Sequence, residues 1–319
     1  MIASAVIVPE AFKDPGIVTF LRAIISRGVL LDEHGYTLLR QAAEVAIESG
    51  PQKAIILLAE IQNNRKRFIH TTKHRSNKAN TVDFSSLAAA LADELMADAV
   101  VVADGTQLPP AEPPSCWQVV DVKRYPDSGL ADKLASWNDE TRKLSNLPVT
   151  DRDNRVGRCF RYTHCLRIYD PWILGSSEKG NKERRKHLQK FIKGIQYFVK
   201  RWQSLSICQP NTLEIYTAKQ RYWASKDLVS WIRTADGIIK ASLPRGLDTH
   251  LIVKRLPKNH SKTREFHDRW IEAKRRYFLV PAGIDFIQAD GKWSSCAYQL
   301  SNQGMEAVTI IRHLPTIEW

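Results

Sequence analysis

Residues 181–205, NKERRKHLQKFIKGIQYFVKRWQSL, space their apolar side chains three and four apart: Leu188, Phe191, Ile192, Ile195, Phe198, Val199 and Trp202. That spacing puts them on one face of a single long helix. Lys182, Arg184, Arg185, Lys186, Lys190, Lys193, Lys200 and Arg201 fall on the other face. The apolar stripe reads as core, and the basic stripe faces solvent or phosphate. Phe160–Tyr169 reads as a strand ending in Asp170-Pro171-Trp172-Ile173, Leu213–Tyr216 as a short buried strand and Lys226–Thr234 as a helix. Further strands are predicted over His250–Leu256, Arg276–Ile287 and Trp293–Leu300. Strands and helices in alternation imply an α/β fold with a mixed or mostly parallel sheet covered by helices.

The first third of the chain has a different texture. MIASAVIVPEAF reads as a first buried strand. A helix follows from Asp14 through Ile17, Phe20, Leu21, Ile24 and Ile25 to Gly28. A second begins near Asp32 and ends at Ser49-Gly50, and a third runs through Ile55, Leu58 and Ile61. Residues 63–80 are polar and basic with little periodicity, the composition of an exposed loop. Ser85–Met96 reads as a helix and Ala99–Ala103 as a buried strand. GTQLPPAEPPSC, residues 105–116, is the clearest linker in the chain. Beyond it, Trp117–Val122 reads as a strand and Leu130–Leu144 as helical. The expected organisation is a small, mostly helical α/β domain over 1–104, a linker over 105–116 and a larger α/β domain over 117–319.

Charge divides the chain as well. The net charge is +13. Residues 1–150 hold 16 Lys and Arg against 18 Asp and Glu, whereas 151–319 hold 31 against 16. Solubility needs charge but not one sign of it, so the second half is expected to meet a polyanion, nucleic acid before acidic protein or lipid headgroups. No stretch approaches the roughly 18 consecutive apolar residues of a membrane span. Five scattered cysteines, Cys116, Cys159, Cys165, Cys208 and Cys296, form no CxxC pair. They read as free thiols in a reducing cytoplasm, with no metal or cofactor implied.

Chemistry concentrates in Thr249–Ile287, THLIVKRLPKNHSKTREFHDRWIEAKRRYFLVPAGIDFI. His267 and Arg269, two positions apart, share one face of an extended chain. An imidazole there can attack phosphorus or protonate a leaving alkoxide while the cation neutralises nonbridging oxygens. As a structural alternative, His267 bonds to Asp268 or a carbonyl and Arg269 forms a salt bridge. FHDRWI, the strand after it, the turn Gly283-Ile284-Asp285-Phe286 and the earlier Asp170-Pro171-Trp172 together resemble the phospholipase D superfamily. The pattern is most similar to the branch containing the C-terminal domain of MIT-domain proteins and bacterial relatives, and it spans about 115–319.

The resemblance implies a phospholipase-D-like sandwich in which His267, Arg269 and Asp285 are catalytic and no metal takes part. His267 would be nucleophile or acid, Arg269 the phosphate-binding cation, and Asp285 a polar group of the site's turn. Lys182, Arg184, Arg185, Lys186, Lys190, Lys193, Lys254, Arg255 and Lys262 are the candidate nucleic-acid contacts. Two departures matter. The superfamily's acid would fall at Lys274, with Glu272 only nearby, and the second candidate, His260-Ser261-Lys262, has Asp268 one residue too late. With one convincing histidine, either two chains pair to complete the site or phosphate binding persists without hydrolysis. The implied function is a nuclease subunit acting on DNA or RNA, with a role in antiviral defence or a mobile element by analogy with the bacterial relatives. The alternative is an inactive binding module, with residues 1–110 recruiting a partner protein. Glu10, Asp14, Asp98 and Asp104 also resemble the acidic corners of PIN-like metal-dependent nucleases, and serve equally well as caps and turns.

Overall fold

The computed structural model describes residues 3–33, 35–63, 68–70, 83–95, 97–110, 117–135, 140–143, 148–149, 160–175, 180–206, 210–219, 225–256, 268–273, 276–280, 283–285, 297–300 and 304–319. The chain forms two compact units, Met1–Trp137 and Asn138–Trp319.

Unit 1 is an open parallel sheet wound with helices. Its strands are β1 (Ala3–Ile7), β2 (Gly28–Asp32), β3 (Phe68–His70), β4 (Ala99–Val102) and β5 (Gln118–Asp121), in the order β3-β2-β1-β4-β5. All four pairings are parallel. The helices are α1 (Ile17–Arg27), α2 (Thr37–Ser49), α3 (Gln52–Asn63), α4 (Phe84–Glu94) and α5 (Gly129–Ala135). Ala5, Ile7, Leu30, Val101 and Val120 share one core with residues of α1, α2 and α3. Val6, Val29, Leu31 and Val100, pointing the other way, are buried too, and α4 packs against β1, β2 and β4.

Unit 1 is α/β and, among the described residues, more of it is helix than strand, as expected; β2 and β3 are strands the sequence did not signal. Gly28–Asp32 is buried at every position, so it lacks the polar alternation that betrays a half-buried strand. Phe68–His70, expected as loop, pairs with Leu30–Asp32 as a strand; the rest of 64–80 lies outside the described residues. The proline-rich segment joins β4 to β5, which pair from Ala99↔Gln118 to Val102↔Asp121. It is a crossover within unit 1, and the division of the chain comes after Trp137 instead.

Unit 2 carries a mixed seven-stranded sheet. Its elements are β6 (Glu140–Lys143), β7 (Cys165–Tyr169), α6 (Asn181–Leu205), β8 (Thr212–Lys219), α7 (Ser225–Ala241) and β9 (Asp248–Arg255). Then follow β10 (Trp270–Ala273), β11 (Arg276–Leu279), β12 (Ala297–Leu300) and α8 (Gly304–His313). The order is β6-β12-β11-β10-β7-β8-β9, with β7, β8 and β9 parallel and the remaining pairings antiparallel. The helix expected over 130–144 stops at Ala135, and β6 follows as the sheet's edge.

Helix α6 has the expected bounds and buries the expected stripe, Leu188 to Trp202. That stripe and α7 pack on Leu166, Ile168, Leu213, Ile215, Leu251 and Ile271. On the opposite face α8 covers Tyr169, Tyr216 and Trp270 with Ala307, Val308 and Ile311. Among the described residues no helix is long and apolar enough to cross a membrane. Cys165 is a free thiol whose pKa burial pushes up to about 11; the other four cysteines lie outside the described residues.

Candidate functional site

Three segments far apart in sequence meet at one end of the unit 2 sheet. Asp170 follows β7, and its amide donates to the Tyr216 carbonyl of β8, 2.9 Å. Arg269 precedes β10, whose Trp270 pairs with Tyr169, so it arrives beside Asp170. After β11 the chain turns sharply. The Gly283 amide donates to the Val280 carbonyl, 2.9 Å, with Gly283 at φ +84, a conformation natural to glycine and strained for others.

A Cβ on Gly283 would lie 2.9 Å from Asp285 Oδ1, 3.4 Å from Asp170 Oδ2 and 3.6 Å from Arg269 Nε. Glycine thus leaves the space at which two carboxylates and a guanidinium converge. The turn is held from behind by α6. A Cβ on Gly194 would stand 1.7 Å from the Ile284 carbonyl oxygen, so the helix and the turn touch backbone to backbone.

Asp170 is wholly buried. Its Oδ1 accepts the Trp172 amide at 3.0 Å, and its Oδ2 has no hydrogen bond among the described residues. Burial pushes its pKa up to about 7, against the Trp172 and Ile284 amides and Arg269, while Asp285 adds to the rise. Water solvates a carboxylate far better than this pocket does, so the proton is retained to near neutrality.

Of the residues expected to be catalytic, Arg269 and Asp285 come together here. His267 lies outside the described residues, as do Lys262 and the His260-Ser261-Lys262 segment. Asp170, which the sequence marked as part of the Asp170-Pro171-Trp172 segment of the resemblance but not as a catalytic residue, belongs with Arg269 and Asp285. Gly194 was missed too. An isolated glycine inside a strongly periodic helix signals close packing.

The basic residues separate into two kinds. On α6, Lys182, Arg185, Lys186, Lys190 and Lys193 are exposed, as is Arg255 on β9. Arg184 is half-buried and lines a cleft of about 340 Å³ with Arg185, Asp227, Ser230, Trp231 and Thr234. The α6 face passes close to the cluster, since His187 Nε2 sits 2.8 Å from the Trp172 carbonyl. Lys254 is a correction. Its ammonium donates to the Arg312 and Leu314 carbonyls and the Thr316 hydroxyl at 2.7, 2.9 and 3.0 Å. A buried cation with three partners fastens the C-terminal segment and has no donor left for phosphate.

Glu272 does not supply the missing acid. It is buried on the α8 face, where Arg312 pairs with it and the Tyr169 hydroxyl donates to it at 2.8 Å. Arg167 bridges it to Glu214, with Nε 2.6 Å from Glu214 Oε2. Two arginines and two glutamates balance one another there, which is the economy of a packed ion network.

In unit 1 the acidic corner comes apart. Asp98 precedes β4 at the amino end of the sheet and accepts the Ser4 amide, 2.9 Å. Glu10 and Asp104 follow β1 and β4 at the opposite end. Asp14 accepts the Gly16 amide at 2.7 Å in a local turn. The described residues contain no group of three acidic, His or Cys side chains able to hold a metal ion. Comparison of the chain with protein-family models and with curated proteins finds no match to either.

Proposed function

We propose that unit 2 is a phospholipase-D-like module that grips nucleic-acid phosphates and cuts a phosphodiester without a metal. The observation that carries this reading is the convergence of Asp170, Arg269 and Asp285 around the Gly283 gap. In the proposed reaction, His267 attacks phosphorus, an N–P bond forms and the bond to the leaving oxygen breaks. The departing alkoxide takes a proton from water or from the histidine of a paired chain, and water then cleaves the N–P bond. Arg269 neutralises the nonbridging oxygens, and Asp285 orients the guanidinium. The exposed cations Lys182, Arg185, Lys186, Lys190 and Lys193 on α6 hold the flanking backbone.

A second reading, binding without cutting, is favoured by one observation: those α6 cations form a continuous exposed row that needs no nucleophile beside it. In that case unit 1 recruits the protein that acts, and Ile47 and Ile56, each 69% exposed, are the apolar contacts it offers. A cleavage assay in EDTA on labelled single- and double-stranded DNA and RNA separates the two. Cutting by the wild type that vanishes in His267→Ala supports the nuclease; salt-sensitive binding with no cutting by either protein leaves the adaptor. Absence of both refutes the nucleic-acid reading.

A further inference from the structure

We propose that Asp170 is a positioning residue that sets the grip of Arg269 on phosphate through its own protonation. As a neutral acid it competes less with the ligand for the guanidinium, and as a carboxylate it draws the guanidinium back. The inference deepens the proposed function and rests on phosphate being held at Arg269.

The geometry supplies the coupling. Asp170 Oδ2, Asp285 Oδ1 and Arg269 Nε all lie within 3.6 Å of one point, the position of the missing Gly283 Cβ. Half of the Asp170 carboxyl has a structural task, because Oδ1 caps the Trp172 amide. Oδ2 is fully buried without a hydrogen bond among the described residues, and it faces the cluster. A structural carboxylate would normally have both oxygens satisfied.

Among the described residues, the charged groups acting on Asp170 are Arg269 and Asp285, with the amides of Trp172 and Ile284 beside them. From α6, His187 reaches the Trp172 carbonyl, two residues along. β8 contributes the Tyr216 carbonyl, while the Tyr216 hydroxyl turns to Glu214 on the other face. Ionisation of Asp170 would set a second acidic side chain beside Asp285 against Arg269, so an incoming phosphate would compete with both. Protonation of Asp170 removes one competitor and one source of repulsion. Its burial places that change near pH 7.

Linkage fixes the direction. If phosphate prefers the protonated site, binding raises the Asp170 pKa, and affinity falls with pH only between the free and bound values. Below about pH 7 the affinity is therefore flat. Above it, affinity declines by up to tenfold per pH unit until the bound-state value is passed.

The test uses the full chain carrying His267→Ala, which removes cutting and the imidazole's own titration. Binding of a fluorescein-labelled oligothymidylate without terminal phosphates is measured by anisotropy from pH 6 to 9 at constant salt. The expected result is a plateau below pH 7 and a fall above it, with both the fall and part of the affinity lost in Arg269→Gln, and a flat profile in Asp170→Asn. A flat profile in the parent that still depends on Arg269 overturns the inference and leaves the proposed function standing. Binding indifferent to Arg269→Gln overturns both. A carboxyl-carbon NMR titration of the unliganded protein guards against misfolding of Asp170→Asn. There Arg269→Gln should move the assigned Asp170 midpoint upward, and an unmoved midpoint overturns the coupling by itself.

Discussion

The close approach of Gly194 to Ile284 makes one substitution decisive. A methyl group at Gly194 would stand 1.7 Å from a backbone oxygen, where a carbon and an oxygen need about 3.3 Å between them. Helix or turn must move by roughly 1.6 Å, and neither atom is at the end of a flexible side chain. Overpacking of this kind costs about 3 kcal/mol, the upper part of the usual range. Replacing glycine by alanine inside a helix returns about 1 kcal/mol. Gly194→Ala should therefore destabilise unit 2 by about 2 kcal/mol, lowering its unfolding temperature by roughly 4–8 °C for a domain of this size. Gly237 is the internal control. It lies inside α7, exposed, with no atom within 4 Å of its would-be Cβ. Gly237→Ala has the same helical gain and no clash, so it should stabilise by about 0.5–1 kcal/mol. Differential scanning calorimetry reads both. The reasoning fails if Gly194→Ala melts at or above the wild-type temperature, or if Gly237→Ala melts below it.

Lys254 and the α6 cations should behave as opposites. Lys254→Met strands two carbonyls and a hydroxyl, so it should cost about 2–3 kcal/mol in denaturant unfolding and leave the salt dependence of nucleic-acid binding unchanged. Lys186→Gln with Lys190→Gln should leave stability within about 0.5 kcal/mol and reduce the slope of log affinity against log salt by about 0.7–0.9 for each phosphate no longer neutralised. Asp32, buried at the carboxyl end of β2, accepts the Glu33 and Leu39 amides at 2.7 and 3.0 Å. Burial nevertheless pushes its pKa up to about 6 from 3.8. The folded state holds this proton more tightly, so the contribution is fully present below about pH 4 and is lost as pH rises through about 6. Unfolding free energies should show that loss, on the order of 3 kcal/mol, and Asp32→Asn should flatten the profile across the same window.

What the sequence disclosed depended on how far each residue's environment extends along the chain. Helix α6 could be read to its end residues because its stripe is a local pattern repeated along its whole length. The strands β2 and β3 could not. Gly28–Asp32 is short, buried on both faces and follows α1 directly, so neither alternation nor a loop separates it from the helix. The proline-rich segment looked like a boundary because composition marks a loop without saying what the loop connects. Only the parallel pairing of β5 with β4 shows that it returns to the same sheet. Arg269 and Asp285 were legible as members of short motifs whose order in the chain is the order of the segments that meet. Lys254 was not, since it sits near the exposed end of β9 in a basic run. What buries it is the C-terminal segment, far along the chain, tied back by the Ile317 amide to the Val253 carbonyl at 2.8 Å.

With the boundary after Trp137, the charge asymmetry belongs to two folded bodies instead of an arbitrary midpoint. Residues 138–150 contain Asp139, Glu140, Arg142 and Lys143 together with Asp151 just beyond, and within 138–150 the charges number two of each sign. Assigning them to unit 2 therefore leaves the halves at −2 and +15. Within unit 2 the charge is divided again by folding. Lys254, Arg167 and Arg312 are consumed by carbonyls and carboxylates, while Lys182, Arg185, Lys186, Lys190 and Lys193 remain exposed along one side of α6. The same helix presents Gly194 to the turn that carries Asp285. A polyanion drawn to that row is thus held by the element that positions the cluster, so displacement of the turn in Gly194→Ala should weaken the Arg269-dependent part of binding while leaving the salt slope set by the α6 cations intact.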